Sequence, residues 1–276
     1  MTMKSRIQPI FFSIGVSLLA FSMTSCDRRE NMATDDASDE TVTLYAEKSV
    51  NDVVDALVLR SDSADFADCA EITDSGAEIF PRTITIDFGD GCTDLQGRTH
   101  AGIIEVVLSD DWENLSATRT ATFYGYSVSP VWTDFPIALQ GVRSLERLPS
   151  NAYGQPEFSR AADMTITRGN LTLEHSFSGV RTWILGYEDP ENEENVFGLT
   201  GAGTAVRNGN STVTRDIIDT LKYSQSCDQV TEGVLAVTRP LRSATLDFGN
   251  GDCDGEATVT LENGNVFTID LHQFPG

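Results

Sequence analysis

Three short stretches, Arg168-Gly169-Asn170, Asn208-Gly209-Asn210 and Glu262-Asn263-Gly264-Asn265, each separate two runs in which apolar and polar residues alternate. Met164–Thr167 and Leu171–Leu173 flank the first, Val196–Val206 and Ser211–Ile217 the second, and Ala257–Leu261 and Val266–Leu271 the third. Alternation with period two marks a strand with one buried face, and Asn-Gly between two such runs marks a tight hairpin. Further alternating runs occur at Ile84, Ile86, Phe88, at Ile104, Val106, Leu108, at Thr122, Tyr124, Tyr126 and at Ala244, Leu246, Phe248. The pattern predicts an all-β fold, an antiparallel meander forming a large twisted sheet, a sandwich or a partly closed barrel. Helical spacing is scarce. Its one clear instance is Ala46–Arg60, where Val50, Val53, Val54, Ala56, Leu57 and Val58 give a broad apolar face, with Ser49 or Asn51 as a cap. One short N-terminal helix is therefore expected.

One segment is written twice. Thr83–Thr99 reads TITIDFGDGCTDLQGRT, and Ala244–Thr260 reads ATLDFGNGDCDGEATVT. Each residue type has a backbone role. Phe88 and Phe248 close an inward-facing row. The glycines after them permit a sharp bend. Asp87 and Asp247 are placed to accept turn N–H groups as Asx turns do. A cysteine lies upstream of each copy, Cys69 and Cys227, and another just after it, Cys92 and Cys253. The economical pairing is Cys69–Cys92 and Cys227–Cys253, each locking one local β unit, about residues 69–108 and 227–271. Loops of that size contribute about 3 kcal/mol each in the chain-entropy account. Duplication of a β corner explains both copies without catalysis.

The leader sets the address. Lys4 and Arg6 precede an apolar run from Ile7 to Phe21, too short to span a bilayer. Met23-Thr24-Ser25-Cys26 follows and resembles the processing box of bacterial lipoproteins, in which the cysteine is lipidated and becomes the first mature residue. Residues 1–25 are then the signal peptide and Cys26 the lipidation site. Two or more acyl chains hold such a protein on a membrane, each buried CH₂ contributing about 0.8 kcal/mol. From 26 to 41 the chain is polar and reads as a flexible acidic tether. Residues 42–276 are left as a single β-rich domain.

With 42 Asp+Glu against 19 Lys+Arg and a net charge of −23, the chain has no basic stripe for nucleic acid or anionic lipid. The 3 histidines, His100, His175 and His272, form no recognisable nucleophile or metal motif. The chain reads as non-catalytic. Asn250-Gly251-Asp252-Cys253-Asp254-Gly255 matches the first half of a calcium loop, which makes Asn250, Asp252 and Asp254 the candidate Ca²⁺ ligands; the twelfth position is Leu261, not an acid. No other cofactor is expected. Trp132, in the loop-like SPVWTDFP, is the candidate stacking platform for a glycan or peptide. A carboxylate-dependent hydrolase and an adhesin or pilin-like assembly subunit remain as alternatives to a binding module.

The DFGDGC at Asp87–Cys92, the GRTHAGII at Gly97–Ile104 and the DFGNGDCDG at Asp247–Gly255 resemble uncharacterised β-rich lipoproteins of Bacteroidetes. That resemblance implies a lipid-anchored protein of the bacterial cell envelope; of the two membranes the outer is the expected one, with its periplasmic or outward face left open, and the expected partner is a glycan or a protein. It implies no activity and transfers no catalytic residue.

Overall fold

A computed structural model describes residues 25–59, 69–76, 79–131, 135–188, 195–224, 226–227, 229–240 and 242–272; within the helix, side chains are described for Ala37 and 39–55. The fold is one helix, α1 (Ser25–Leu59), and a 14-stranded antiparallel sheet. Its strands are β1 (Glu71–Asp74), β2 (Arg82–Asp87), β3 (Cys92–Thr93), β4 (Thr99–Leu108), β5 (Thr118–Ser129), β6 (Ile137–Leu148) and β7 (Glu157–Arg168). They continue as β8 (Leu171–Leu185), β9 (Val196–Arg207), β10 (Ser211–Ser224), β11 (Glu232–Arg239), β12 (Arg242–Asn250), β13 (Glu256–Leu261) and β14 (Val266–Asp270). Spatial order follows chain order from β1 to β14, except that the two-residue β3 pairs with β4 alone. Of the forms the alternation allows, the chain takes the single large meander. It is not closed into a barrel, and β1 and β14 remain as edges.

One face of the sheet wraps α1. Ile86, Ile104, Ile166, Leu173, Leu246 and Val259 from the sheet share a core with Val42, Tyr45, Ala46, Val50, Val53 and Val54 from the helix. Each fully buried side chain of this size contributes about 1.5–3 kcal/mol. On β7 the outer face carries Ser159, Ala161, Asp163, Thr165 and Thr167, between the buried Phe158, Ala162, Met164 and Ile166. That order is the reverse of a membrane-spanning barrel, whose outward residues are apolar.

The helix departs from expectation. It begins at Ser25, takes in the stretch expected as a tether, and carries Ser49 and Asn51 inside its body, so neither is the cap. From Asp39 to Thr43 the side chains are buried. Within that stretch Asp39 and Glu40 serve as ligands for the sheet, as described below.

The duplicated corners lie at opposite ends of the sheet. The first belongs to β1–β4, the second to β11–β14. In each, the strand-end carboxylate accepts the N–H two residues on, Asp87 from Gly89 at 2.8 Å and Asp247 from Gly249 at 2.9 Å. Gly89 and Gly249 have φ of 56° and 86°, where a side chain would be strained. Phe88 and Phe248 are buried as expected. Bulges bend the long strands between these corners. At one of them Gly102, with φ 80°, lies so close to β5 that a Cβ would meet the Gly125 carbonyl oxygen at 2.3 Å. A second register shift, between Phe123 and Tyr126, leaves Tyr124 outward and Tyr126 inward; simple alternation would place both on one face.

Cys69 bonds to Cys92 and Cys227 to Cys253, with Cα–Cα separations of 5.4 and 5.8 Å and sequence separations of 23 and 26. Both separations lie in the ordinary range for a bridge. Non-reducing peptide mapping of the purified protein is therefore expected to recover these two linked peptides; a Cys69–Cys227 link would contradict the local-corner assignment.

Candidate functional site

Arginine recurs on the inner face of the sheet, in phase with the buried apolar residues. On β5 it is Arg119, two positions before Ala121; on β6 Arg143 and Arg147 flank Leu145; on β7 Arg160 lies between Phe158 and Ala162; on β8 Arg181 precedes Trp183 by two. Period two puts each guanidinium inside, and all five are buried. A buried cation is costly unless paired. The pairs come from α1.

Asp55 sits between two strands: its Oδ1 accepts from Arg119 Nη2 and its Oδ2 from Arg181 Nη2, both at 2.5 Å. Glu47 Oε1 faces Arg160 Nη2 at 2.5 Å and His175 Nε2 at 2.7 Å. Asp52 Oδ2 takes Lys48 Nζ at 2.8 Å and Arg98 Nη1 at 2.7 Å. Further up the helix, Glu40 Oε2 accepts from Arg215 Nη1 at 2.8 Å, and Asp39 Oδ2 lies 2.7 Å from Arg207 Nε. Asn51 contributes a neutral pair: its Oδ1 accepts from Arg143, and its Nδ2 donates to Tyr223 Oη at 3.3 Å. One helix thus engages every strand from β5 to β10, and Arg98 just before β4. Because these partners surround it, the helix has no single polar side, which is why its acids read as a solvated segment in the sequence.

Burial alone would raise the carboxyl of Asp55. Arg181 and Arg119 outweigh it and hold that group well below the usual carboxylate range. Burial likewise opposes ionisation of Glu47, and Arg160 and His175 overcome it. The Asp94 carboxyl is lowered to about 2, against burial, by hydrogen bonds and charge from His100 and Arg98.

Two of the histidines are tied into this polar core. His100 Nδ1 meets Tyr126 Oη at 2.9 Å and its Nε2 meets Asp94 Oδ2 at 3.1 Å. A neutral ring satisfies both by accepting from the phenol and donating to the carboxylate. His175 does the same between Arg215 and Glu47. Burial pushes both imidazoles down. His100 and His175 are 0 % and 1 % exposed, so no substrate reaches either ring in this conformation. His272 lies beside Asp270, its Nδ1 3.4 Å from Oδ1. A cavity of about 20 Å³ adjoins the site, bordered by Glu47, Asn51, Arg160, Tyr223 and Gln229.

Other residues singled out in the sequence are not brought to this face. Trp132 lies outside the described residues. Cys26 lies in the first turn of α1, with its side chain outside the description. Asn250 ends β12 opposite Glu232; Asp252 is exposed, and Asp254 accepts the Glu256 N–H at 3.0 Å, the geometry of an Asx turn. Among the described residues no group of three or more His, Cys, Asp or Glu side chains is placed to hold a metal ion. The other large aromatic residues divide. Trp183 packs on Phe197, and Trp112 stacks on Phe158 at 5.1 Å; Tyr124 and Tyr153 face solvent. The sequence reading missed the arginine set. Its signal was present: Arg119, Arg143, Arg160 and Arg181 each fall in register with the apolar, not the polar, positions of their strands.

A scan against protein-family models finds no match, and searches of curated proteins and of solved structures return no relative.

Removing one partner of a buried pair leaves the other charge uncompensated, at about 3–5 kcal/mol. Asp55→Asn is expected to lower stability by about 3 kcal/mol in urea unfolding, whereas Asp163→Asn on the exposed face of β7 stays within about 0.5 kcal/mol. An Asp55→Asn protein as stable as the wild type would sink the pairing account.

Acid titration follows from the same groups. A histidine whose folded value lies below 6.5 gives stability that fades as pH falls through 6.5, because the unfolded chain binds the proton first. Depressed carboxylates act alike below their free values, 4.5 for Glu47 and 3.8 for Asp55. The melting temperature should therefore be level above neutrality, decline below about pH 6.5 and fall steeply below about pH 4.5. A melting temperature that rises on acidification from pH 7 to pH 5 would contradict this assignment.

Proposed function

We propose that this chain is a non-catalytic binding protein of the bacterial cell envelope, carried on the outer membrane by lipid at Cys26, with a peptide or glycan as its ligand. One observation carries the reading. The inner face of the sheet already holds a polar, acidic helix through side-chain ion pairs spread over many strands. A surface that seats one acidic segment in cis has the chemistry to recognise another in trans, and guanidinium forks suit carboxylate-bearing partners. The imidazoles and lowered carboxylates that acid–base chemistry would draw on serve instead to hold that helix. The leader and the resemblance to Bacteroidetes lipoproteins supply the address.

An assembly role is the second reading, favoured by the edges of the open sheet. On the β14 edge, Val266 is 61 % exposed, and main-chain groups along an edge can accept a strand from a partner.

The test joins address and binding. Cells expressing the full chain are fed an alkyne fatty acid, and the purified mature protein is applied to peptide and glycan arrays. Label on the wild type, loss of label and release into the soluble fraction in Cys26→Ser, and selective capture of acidic peptides or of a glycan class are expected. A label that persists in Cys26→Ser would overturn the anchor. Arrays without selective binding, together with filaments or higher oligomers in solution, would favour the assembly reading.

A further inference from the structure

The inner face keeps an excess of positive charge around the C-terminal half of α1. In register, Arg119 and Arg160 both oppose Leu145, Arg143 opposes Ala121 and Ala162, and Arg147 and Arg181 both oppose Phe158. The guanidiniums therefore alternate with small or apolar residues across four adjacent strands, each diagonal to the next. Against these five cations, the described carboxylates in contact are Glu47, on Arg160, and Asp55, on Arg119 and Arg181. Arg143 meets only the neutral Asn51 among described acceptors, and Arg147 lies over the rings of Phe158 and Tyr187 at 5.1 and 5.9 Å. Buried N–H groups are left over: Arg119 Nη1, Arg143 Nε and Nη1, Arg147 Nη1, Arg160 Nε and Arg181 Nε have no hydrogen-bond partner among the described residues. Burial and the neighbouring Arg160, Arg119 and Arg181 push the Arg143 guanidinium down to about 9, the sign of a site short of negative charge. The cavity of about 20 Å³ touches this set at Arg160 alone, where Glu47, Asn51 and Tyr223 also border it.

We propose that Arg119, Arg143, Arg147, Arg160 and Arg181 form a binding site for a divalent tetrahedral oxyanion, phosphate or sulfate, free or as an ester on a larger ligand. This rests on the binding-protein reading and names the chemistry of its ligand. A dianion offsets the excess that two carboxylates leave, which a monoanion does less well. Its oxygens offer acceptors in several directions to donors that now have none, and guanidinium matches such oxygens two at a time. Arg143, diagonal to both Arg119 and Arg160 and without a carboxylate among the described residues, is the residue on which binding depends most.

The test uses the full mature chain. Melting is followed while inorganic phosphate, inorganic sulfate and O-phosphoserine are titrated, each against sodium chloride at matched ionic strength. The site predicts a saturable rise of several degrees for phosphate or sulfate, as binding to the folded state alone requires. Arg143→Leu should remove the saturable rise and Arg147→Leu should weaken it. A larger rise with O-phosphoserine assigns the site to an ester; a rise with the inorganic ions alone assigns it to the free anion. Equal response to chloride and to the dianions in the wild type overturns the site, and so does an Arg143→Leu protein that keeps the rise. If Arg143→Leu does not fold, the wild-type titration and Arg147→Leu decide. Such a failure leaves selective peptide or glycan capture on the arrays untouched, so the two readings fall separately.

Discussion

Guanidinium–carboxylate pairing inside the sheet is the interaction on which the rest depends. A helix whose described side chains set Asp39, Glu40, Glu47, Asp52 and Asp55 around the apolar row Val42, Tyr45, Ala46, Val50, Val53 and Val54 buries charges that need partners, and isolated in water it has little reason to form. Buried against Arg98, Arg119, Arg160, Arg181 and Arg215, its charges become the contacts that hold it. The converse also holds. Without the helix, the inner face would present a field of arginines where a β-protein normally packs aliphatic side chains. Each component is unfavourable alone and is stabilised by the other. That mutual dependence explains how a strongly acidic chain buries so many cations.

The parts legible in the sequence were those with local causes. Alternation and Asn-Gly turns specify strands and hairpins through backbone geometry, and the meander follows from short connections. The Asp-Phe-Gly corners were legible for the same reason: the Asx turn at Asp87 and its twin at Asp247 need only neighbouring residues. The disulfides followed from proximity along the chain. What escaped was long-range. The extent of α1 depends on partners far away in sequence, such as Arg215 for Glu40 and Arg181 for Asp55. Composition alone treats an acidic stretch as solvated, and only the phase of the arginines within their strands says otherwise. Tyr126 is a smaller case. A bulge near Gly125 turns it inward, and no alternation rule reports the bulge.

The arrangement also orders the functional ideas. The buried His100 and His175 and the lowered carboxylates of Glu47, Asp55 and Asp94 belong to the polar network around the helix, and its guanidiniums are the chemistry on which the proposed recognition of anions rests. The outer face carries acids instead, among them Glu105, Glu146, Asp163, Glu174 and Asp216, so the two faces of the sheet differ in the sign of their charge. The two duplicated corners sit at the ends of the sheet, where they brace the edge strands with disulfides and keep the curved face in shape. The helix that fills this face begins at Ser25, beside the cysteine expected to carry lipid. Anchor, helix and arginine face would then form one mechanical series, with the membrane pulling on the very element that the sheet grips.

Hydrogen exchange of the backbone amides in residues 39–55 tests that grip most directly. At neutral pH these amides should be protected as strongly as those of β6 to β8, since α1 can open only by breaking its ion pairs with the sheet. Exchange of 39–55 at the rate of an unstructured peptide, beside a protected sheet, would show that the arginine face is not held by this helix and would contradict the account at its root.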